Sequence, residues 1–274
     1  MNFFWLIIKV ILFRESFPIS KASRIITYIR ICIKQRLFRL LRKHPTHEHI
    51  FGLSISLGDY ASFLSLYEEI FMGMEYYFTS PTQAPIILDA GSNIGMAMLF
   101  FKKLYPQATI TCFEPSGSSF ACLQRNITDN GLHNVTAFQY ALDSTADREI
   151  QLFSSVETSL MTSVLRERNS SDVIVENVPT ATLSSYIKGP VELMKIDIEG
   201  NEHAVMEDLR LNDRLKSVRQ ALIEYHHHIS PDDDNLASFL GVLEEQGFHY
   251  QIHASFRPPF KRDRFQDMMI YAYR

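Results

Sequence analysis

The sequence predicts an α/β protein built on a doubly wound, mostly parallel sheet. Three observations predict it. From residue 86 onward, short apolar runs alternate with amphipathic stretches, the pattern of strands joined by crossover helices. The first run, "IILDA", ends at a turn carrying Gly91 and Gly95 and resumes at helical spacing, as the first strand-to-helix turn of such a sheet does. The last two runs, "FHYQIHA" and "QDMMIYAY", have no helical pattern between them, so they should pair antiparallel.

In chain order, residues 1–43 come first as a basic head. The 274-residue chain has a net charge of -4, but residues 1–43 hold ten Lys or Arg and one acid, Glu15, giving +9. The remainder is therefore strongly acidic, at -13. "MNFFWLIIKVILF" lacks a basic leading region and a small-residue cleavage site, and Lys9 interrupts it, so it does not read as a signal peptide; it is too short to span a bilayer. "KASRIITYIRICIKQRLFRLLRK" mixes Ile and Leu with Arg and Lys at roughly helical spacing. Such a helix can lie among the headgroups of an anionic leaflet, or the head can pack as helices on the main domain with its cations solvated. The expectation is peripheral membrane contact through residues 1–43. Nucleic acid is not expected, since few aromatics interleave with the cations and the body is acidic.

Residues 44–85 read as a helical cap and linker: a short extended stretch, a helix around 60–73, and "TSPTQAP" as a boundary. Residues 86–274 hold the sheet. Strands are expected at 86–90, 109–114, 135–142, 191–198, 218–226, 248–254 and 266–273, with added strands at 149–153 and 173–178. Helices are expected at 94–105, 118–130, 201–211 and 233–246, with a short one at 182–187. Gly131 and Gly247 close two of them. With 46% apolar and 21% charged residues, the chain can bury a sizeable core. Cys32, Cys112 and Cys122 show no metal-ligand spacing, and an odd set fits a reducing, cytoplasmic setting. The sequons at Asn126, Asn134 and Asn169 are taken as chance.

Ligands of a doubly wound sheet bind beyond the carboxyl ends of its strands. "LDAGSNIG" there has the form D-x-G-x-N-x-G, not the three-glycine fingerprint that seats a pyrophosphate. Asp89 would repel a pyrophosphate but suits a ligand bearing an ammonium and a sulfonium. The next strand ends in "CFEP", and Glu114 at that place can accept from both hydroxyls of a ribose. Together these favour S-adenosylmethionine over a nicotinamide dinucleotide.

With "ILDAGSNIG", "FEP", "VPTATLSSYI", "LMKIDIEGNEHAVMEDL" and "ALIEYH" in this order, the chain resembles the FkbM family of S-adenosylmethionine-dependent methyltransferases over roughly residues 50–274. The resemblance implies a class I methyltransferase (Rossmann-like) fold, a seven-stranded sheet in the order 3-2-1-4-5-7-6 with strand 7 antiparallel. It implies O-methyl transfer, often to a hydroxyl of a sugar or glycoconjugate. It also implies roles: Asp89, Gly91, Asn93 and Gly95 at the methionine end of the cofactor, Glu114 at its ribose, Ala141, Leu142 and Asp143 around its adenine.

Methyl transfer to a hydroxyl needs positioning and a proton acceptor. "KIDIEG" puts Asp197 and Glu199 at the end of the fourth strand, and "IEYHHH" puts Glu224 and His226 at the end of the fifth. Period-two alternation sends Glu224, His226 and His228 to one side. His226 is the expected base, because an imidazole titrates near working pH. Asp197 is expected to orient acceptor or cofactor, and Glu199 to join the cofactor side. Three adjacent histidines do not make a zinc site, since neighbours in a strand point apart. Magnesium on Asp197, Glu224 and His226 is the less favoured alternative to a metal-free site. The rival functions are N-methyl transfer to nucleic-acid bases or amides, disfavoured because no D/N-P-P-Y/F motif follows the fourth strand, a nicotinamide-dependent oxidoreductase, and a catalytically degenerate methyltransferase fold acting as a scaffold or binding protein at a membrane. Neither the acceptor nor the oligomeric state is legible.

Overall fold

The computed structural model describes residues 3–155, 162–163, 173–229, 235–254 and 266–274. The head forms α1 (Phe3–Leu12) and α2 (Lys21–Leu40). Ser20 caps α2, its hydroxyl accepting from the Ser23 N–H at 3.1 Å. A hairpin of β1 (His47–Ile50) and β2 (Leu53–Ser56) follows, and then α3 (Tyr60–Tyr67). Asp59 caps α3 by accepting from the Ser62 N–H at 2.7 Å. The helix runs on into one wider π turn, Glu68–Met72, closed by the Gly73 N–H donating to the Glu68 carbonyl. Pi turns inside helices recur at functional sites, and this one faces the cleft described below.

The body contains β3 (Ile86–Ala90), α4 (Met96–Leu104), β4 (Thr109–Phe113), α5 (Gly117–Asp129), β5 (Val135–Phe138) and β6 (Ala141–Leu142). Next come β7 (Glu149–Ser155), β8 (Thr162–Ser163), β9 (Val173–Ala181) and β10 (Val191–Ile196). The chain ends in α6 (Glu202–Leu211), β11 (Val218–His227), α7 (Leu236–Glu245), β12 (His249–Ala254) and β13 (Gln266–Tyr273). The main sheet has seven strands in the order β12-β13-β11-β10-β3-β4-β5. Numbered along the chain, these are strands 3-2-1-4-5-7-6 read from the β5 edge. The last strand, β13, runs antiparallel to both neighbours, β11 and β12, and the remaining pairs are parallel.

Two expectations are refined. The stretch at 135–142 is two strands, with β6 leaving the main sheet to pair with β9 in a small sheet of order β6-β9-β7-β8. The added strands therefore build a side layer, not extra sheet edge. Residues 233 and 234, expected to start the seventh helix, lie outside the described residues, as does Asn169. Asn126 is fully buried, its side-chain amide donating to the Ser56 and Ile94 carbonyls and accepting from the Ser56 N–H. That network is structural.

Each face of the sheet has its own core, as period-two alternation requires. Ile87, Ile110 and Leu193 face a cluster that includes Leu6, Tyr28, Ile31, Phe63, Phe71 and Phe100. Leu88, Met194 and Ile223 face the opposite cluster, with Val205, Leu209, Phe239 and Leu243 of α6 and α7. The head is thus part of the first core. Among the described residues, no helix is long and apolar enough to cross a membrane.

Candidate active site

The turn after β3 is shaped by three left-handed residues, Gly91 (φ 81°), Asn93 (φ 50°) and Gly95 (φ 87°). Gly91 is required by its surroundings. A Cβ there would lie 1.7 Å from the Asp197 carbonyl oxygen, so the chains leaving β3 and β10 can approach only without a side chain. The Gly91 and Ser92 N–H groups both donate to the Phe113 carbonyl, at 3.0 and 2.9 Å. The loop is thereby tied to β4 and lies against the chain leaving β10.

Beyond these strand ends lies a cavity of ≈ 250 Å³. Of the residues singled out in the sequence, Gly91, Asn93, Glu114, Ala141, Leu142, Asp197 and Glu199 line it. Asp89, Gly95, Asp143 and His226 are not among its lining residues. Each of these four has a physical reason. Asp89 is fully buried beneath the loop, 3.5 Å from the Lys195 ammonium. Gly95 precedes α4, and the side on which a Cβ would stand faces Leu123 and Met98, not the cavity. Asp143 is engaged beside the cavity instead, accepting from Arg148 at 2.7 Å and from the Ser144 N–H at 2.6 Å. His226 lies with its side chain wholly excluded from water.

Glu114 is buried at the cavity wall. Its two oxygens accept from the Asn93 N–H at 2.8 Å and the Ser116 N–H at 2.9 Å. A carboxylate offers about four acceptor positions, so each oxygen keeps capacity for one more donor. Burial pushes this carboxyl up to about 7, against the pull of those two N–H groups. Around it the cavity is apolar and aromatic, with Phe113, Tyr140, Leu142 and Ile198. An acceptor pair beside an apolar slot suits a ribose diol with a flat base.

Lys195 holds the other end together. It is 2% exposed and donates to the Gly91 carbonyl at 2.7 Å. It also pairs with Asp197 at 3.2 Å and with Asp89 at 3.5 Å, and lies over the Tyr76 ring. Burial opposes its charge, but Asp197 and Asp89 more than offset this and hold the ammonium above its ordinary range. Burial likewise opposes ionisation of Asp197, yet Lys195 and His226 keep that carboxylate below its ordinary range. The Tyr76 hydroxyl donates to Asp197 at 3.2 Å.

At the far wall the acids crowd. Glu224 lines the cavity, and burial, with Asp197 next, pushes its carboxyl well above the ordinary range. Glu69, from the π turn, is raised too by confinement and by Glu75, although it opens to water at the cavity mouth. His226 Nδ1 is 2.7 Å from Glu202 Oε1, and its Nε2 is 3.3 Å from Glu199 and 3.8 Å from Asp267. Among the described residues, two trios have ligand atoms close enough to share a cation: Asp197, Glu199 and His226, and Glu224, His226 and Asp267. His227 and His228 join neither. The strand ends at His227, and His228 turns left-handed at φ 58°, which breaks the alternation that would have set it beside His226.

The sequence pattern did not place Glu69, Asn201 or Asp267 at the cavity. Asp267 arrives because β11 and β13 pair antiparallel with His226 opposite Asp267, a register that no local pattern discloses. Glu69 and Tyr76 lie in "EEIFMGMEYY", whose acids and aromatics on an apolar run were the available signal.

The chain is similar to known proteins. Residues 89–250, more than half of the chain, match the Methyltransferase FkbM domain. "Methyltransferase 1" of Beauveria bassiana is 28% identical over 204 residues, which cover 67% of this chain and 80% of that protein. The 31-O-demethyl-FK506 methyltransferase FkbM of Streptomyces tacrolimicus is 26% identical over 223 residues, again 67% of this chain and 80% of that protein. The solved methyltransferase FkbM of Methylobacillus flagellatus superposes with a TM-score of 0.46 at 17% identity, over 79% of this chain and 56% of that one.

Proposed function

Since the chain belongs to the FkbM family of methyltransferases, we propose that it moves a methyl group from S-adenosylmethionine to a hydroxyl oxygen, on a sugar or glycoconjugate. The observation that carries the cofactor assignment is Glu114, a carboxylate gripped by two N–H groups with acceptor capacity left toward the cavity. Glu114 would hold the ribose diol. The slot of Phe113, Tyr140 and Leu142 would take the adenine, and Asp197 the ammonium of the methionine end. When bound, the cofactor supplies an electrophilic methyl on a sulfonium.

The chain's own part is to orient the hydroxyl and accept its proton. Glu224 is better placed for this than His226. It lines the cavity, and a carboxyl held well above its ordinary range is a stronger base than a surface carboxylate. His226, on the same strand and held by Glu202, would steady Glu199 and Asp267 from beneath. Asp89 acts through Lys195, which fixes both Asp197 and the Gly91 carbonyl. The relatives' names support methyl transfer, and the acceptor class rests on the family resemblance.

Calorimetric titration with S-adenosylmethionine and, separately, NAD tests the cofactor. Tight binding of the first alone is expected, and binding of neither would favour the scaffold alternative. Repeating it with magnesium asks whether the acid–histidine trios take a cation. Methyl transfer to soluble sugars and glycoconjugates, followed by mass spectrometry, tests the acceptor; modification at nitrogen would overturn the hydroxyl assignment.

A further inference from the structure

Both helices of the head carry two apolar stripes. On α2, Arg24, Tyr28 and Ile31 point into the core, while Ile26, Ile29, Ile33, Leu37 and Leu40 are exposed. At 100° per residue the second set centres roughly 180° from the first. On α1, Leu6 and Val10 are buried, and Trp5, Ile8, Ile11 and Leu12 are exposed on the far side. Exposure is large, at 60% for Trp5, 66% for Ile26, 60% for Ile33 and 79% for Leu40. A helix packed on a core needs one apolar stripe. The second needs another apolar phase.

The charges around it select that phase. On α2, Arg36 and Arg39 flank the outer stripe on one side. On the other, Arg30 and Lys34 are half-buried and already share the Glu48 carboxylate, at 3.4 and 2.9 Å, so the cations offered outward are Arg36 and Arg39. Across residues 1–43 the charge is +9, and it stays positive at this surface after the buried Arg24 and the Glu48 pairing of Arg30 and Lys34 are set aside. Two such faces would repel each other, which disfavours a second copy as the occupant. The chain's one tryptophan lies on this surface, and indole rings favour the boundary between headgroups and acyl chains. We propose that α1 and α2 dock the protein flat on an anionic lipid bilayer, the outer stripes seated among the acyl chains and the flanking cations on the headgroups. The docking does not depend on the reaction catalysed.

The test is co-flotation of the full chain with phosphatidylcholine vesicles that contain or lack phosphatidylserine. Flotation with the anionic vesicles only, weakened by salt, is expected. The variant Ile26→Ser/Ile33→Ser/Leu37→Ser should lose it. The variant Arg36→Gln/Arg39→Gln should weaken partitioning by about fivefold for each cation removed. All these side chains face water, so thermal melting should be unchanged and shows each variant folded. No flotation of folded wild type with either vesicle overturns the proposal. So does flotation that survives the serine variant, or sedimentation showing wild-type dimers that the serine variant dissolves.

Discussion

At the residue scale, the site depends on charges that burial makes expensive and partners make tolerable. Lys195 sits between Asp89 and Asp197, and removing one partner of a buried pair strands the others. Lys195→Met should therefore destabilise the fold by roughly 3–5 kcal/mol in urea melts, and adding Asp89→Asn should recover part of that. Glu114→Gln keeps the shape but loses the charge. It should weaken S-adenosylmethionine about 10- to 100-fold in calorimetry, the worth of one or two charge-assisted bonds. It should also cost about 1–3 kcal/mol of stability, because the Gln amide can accept from only one of the Asn93 and Ser116 N–H groups and sets its own N–H against the other. Glu114 also makes binding depend on pH. Its folded pKa, about 7, lies above the ordinary carboxyl value, so the native state holds a proton that the unfolded chain releases. Its contribution to stability is full at low pH and is lost as pH rises toward 7. Only the ionised form accepts from two hydroxyls, so affinity should move the opposite way. Between about pH 5 and pH 8 the ligand-free melting temperature should fall from this group while the shift induced by S-adenosylmethionine grows. A ligand-induced shift that does not change with pH would sink that role. Glu114 was legible because an acid at one strand end has a fixed address. Asp89 was legible as an acid but not as a buried one, since its distance from the cavity depends on Lys195 across the sheet.

At the element scale, strands and helices from residue 86 onward were readable because their apolar periods differ. What no local pattern carries is pairing: β6 leaving for β9, and Asp267 landing opposite His226. The π turn was likewise hidden, since one extra residue per turn leaves an apolar run unchanged. The glycine turn was legible in part. Its glycines were expected to admit a ligand, yet Gly91 also admits the Asp197 carbonyl. Two substitutions separate backbone conformation from crowding. Gly131 has φ 57° and open space where a Cβ would stand, whereas at Gly91, φ 81°, the carbonyl oxygen would be 1.7 Å from it. Gly131→Ala should cost about 1 kcal/mol, the left-handed penalty alone. Gly91→Ala should cost several times more, about 3–4 kcal/mol or loss of soluble protein. Equal losses in chemical denaturation would mean that β10 yields easily, and that the turn is not a fixed cradle.

At the scale of the whole molecule, the head is both a surface and a wall. Composition showed its charge, but not that its inner stripe completes the first core, because a stripe's partner is not written in its own segment. Leu6, Val10, Tyr28 and Ile31 share a buried cluster with Phe63, Tyr67, Phe71 and Phe100. Arg24, 1% exposed, donates to the Phe71 carbonyl inside the π turn, and Tyr28 donates to Glu68 at 2.6 Å. That turn carries Glu69 and Ile70 to the cavity. Removing residues 2–43 would therefore strip four large core side chains, each worth about 1.5–3 kcal/mol of burial, against a total stability of only about 5–15 kcal/mol for a typical domain. The truncated chain should be insoluble, or bind a hydrophobic dye and melt far lower. Any soluble fraction should hold S-adenosylmethionine more weakly, because the π turn loses the two side chains that fix it. A truncated chain that melts and binds like the whole one would show the head to be a separable appendage. Loss of lipid binding on truncation thus cannot distinguish a missing membrane face from a collapsed core, whereas serine on the outer stripe touches only the face.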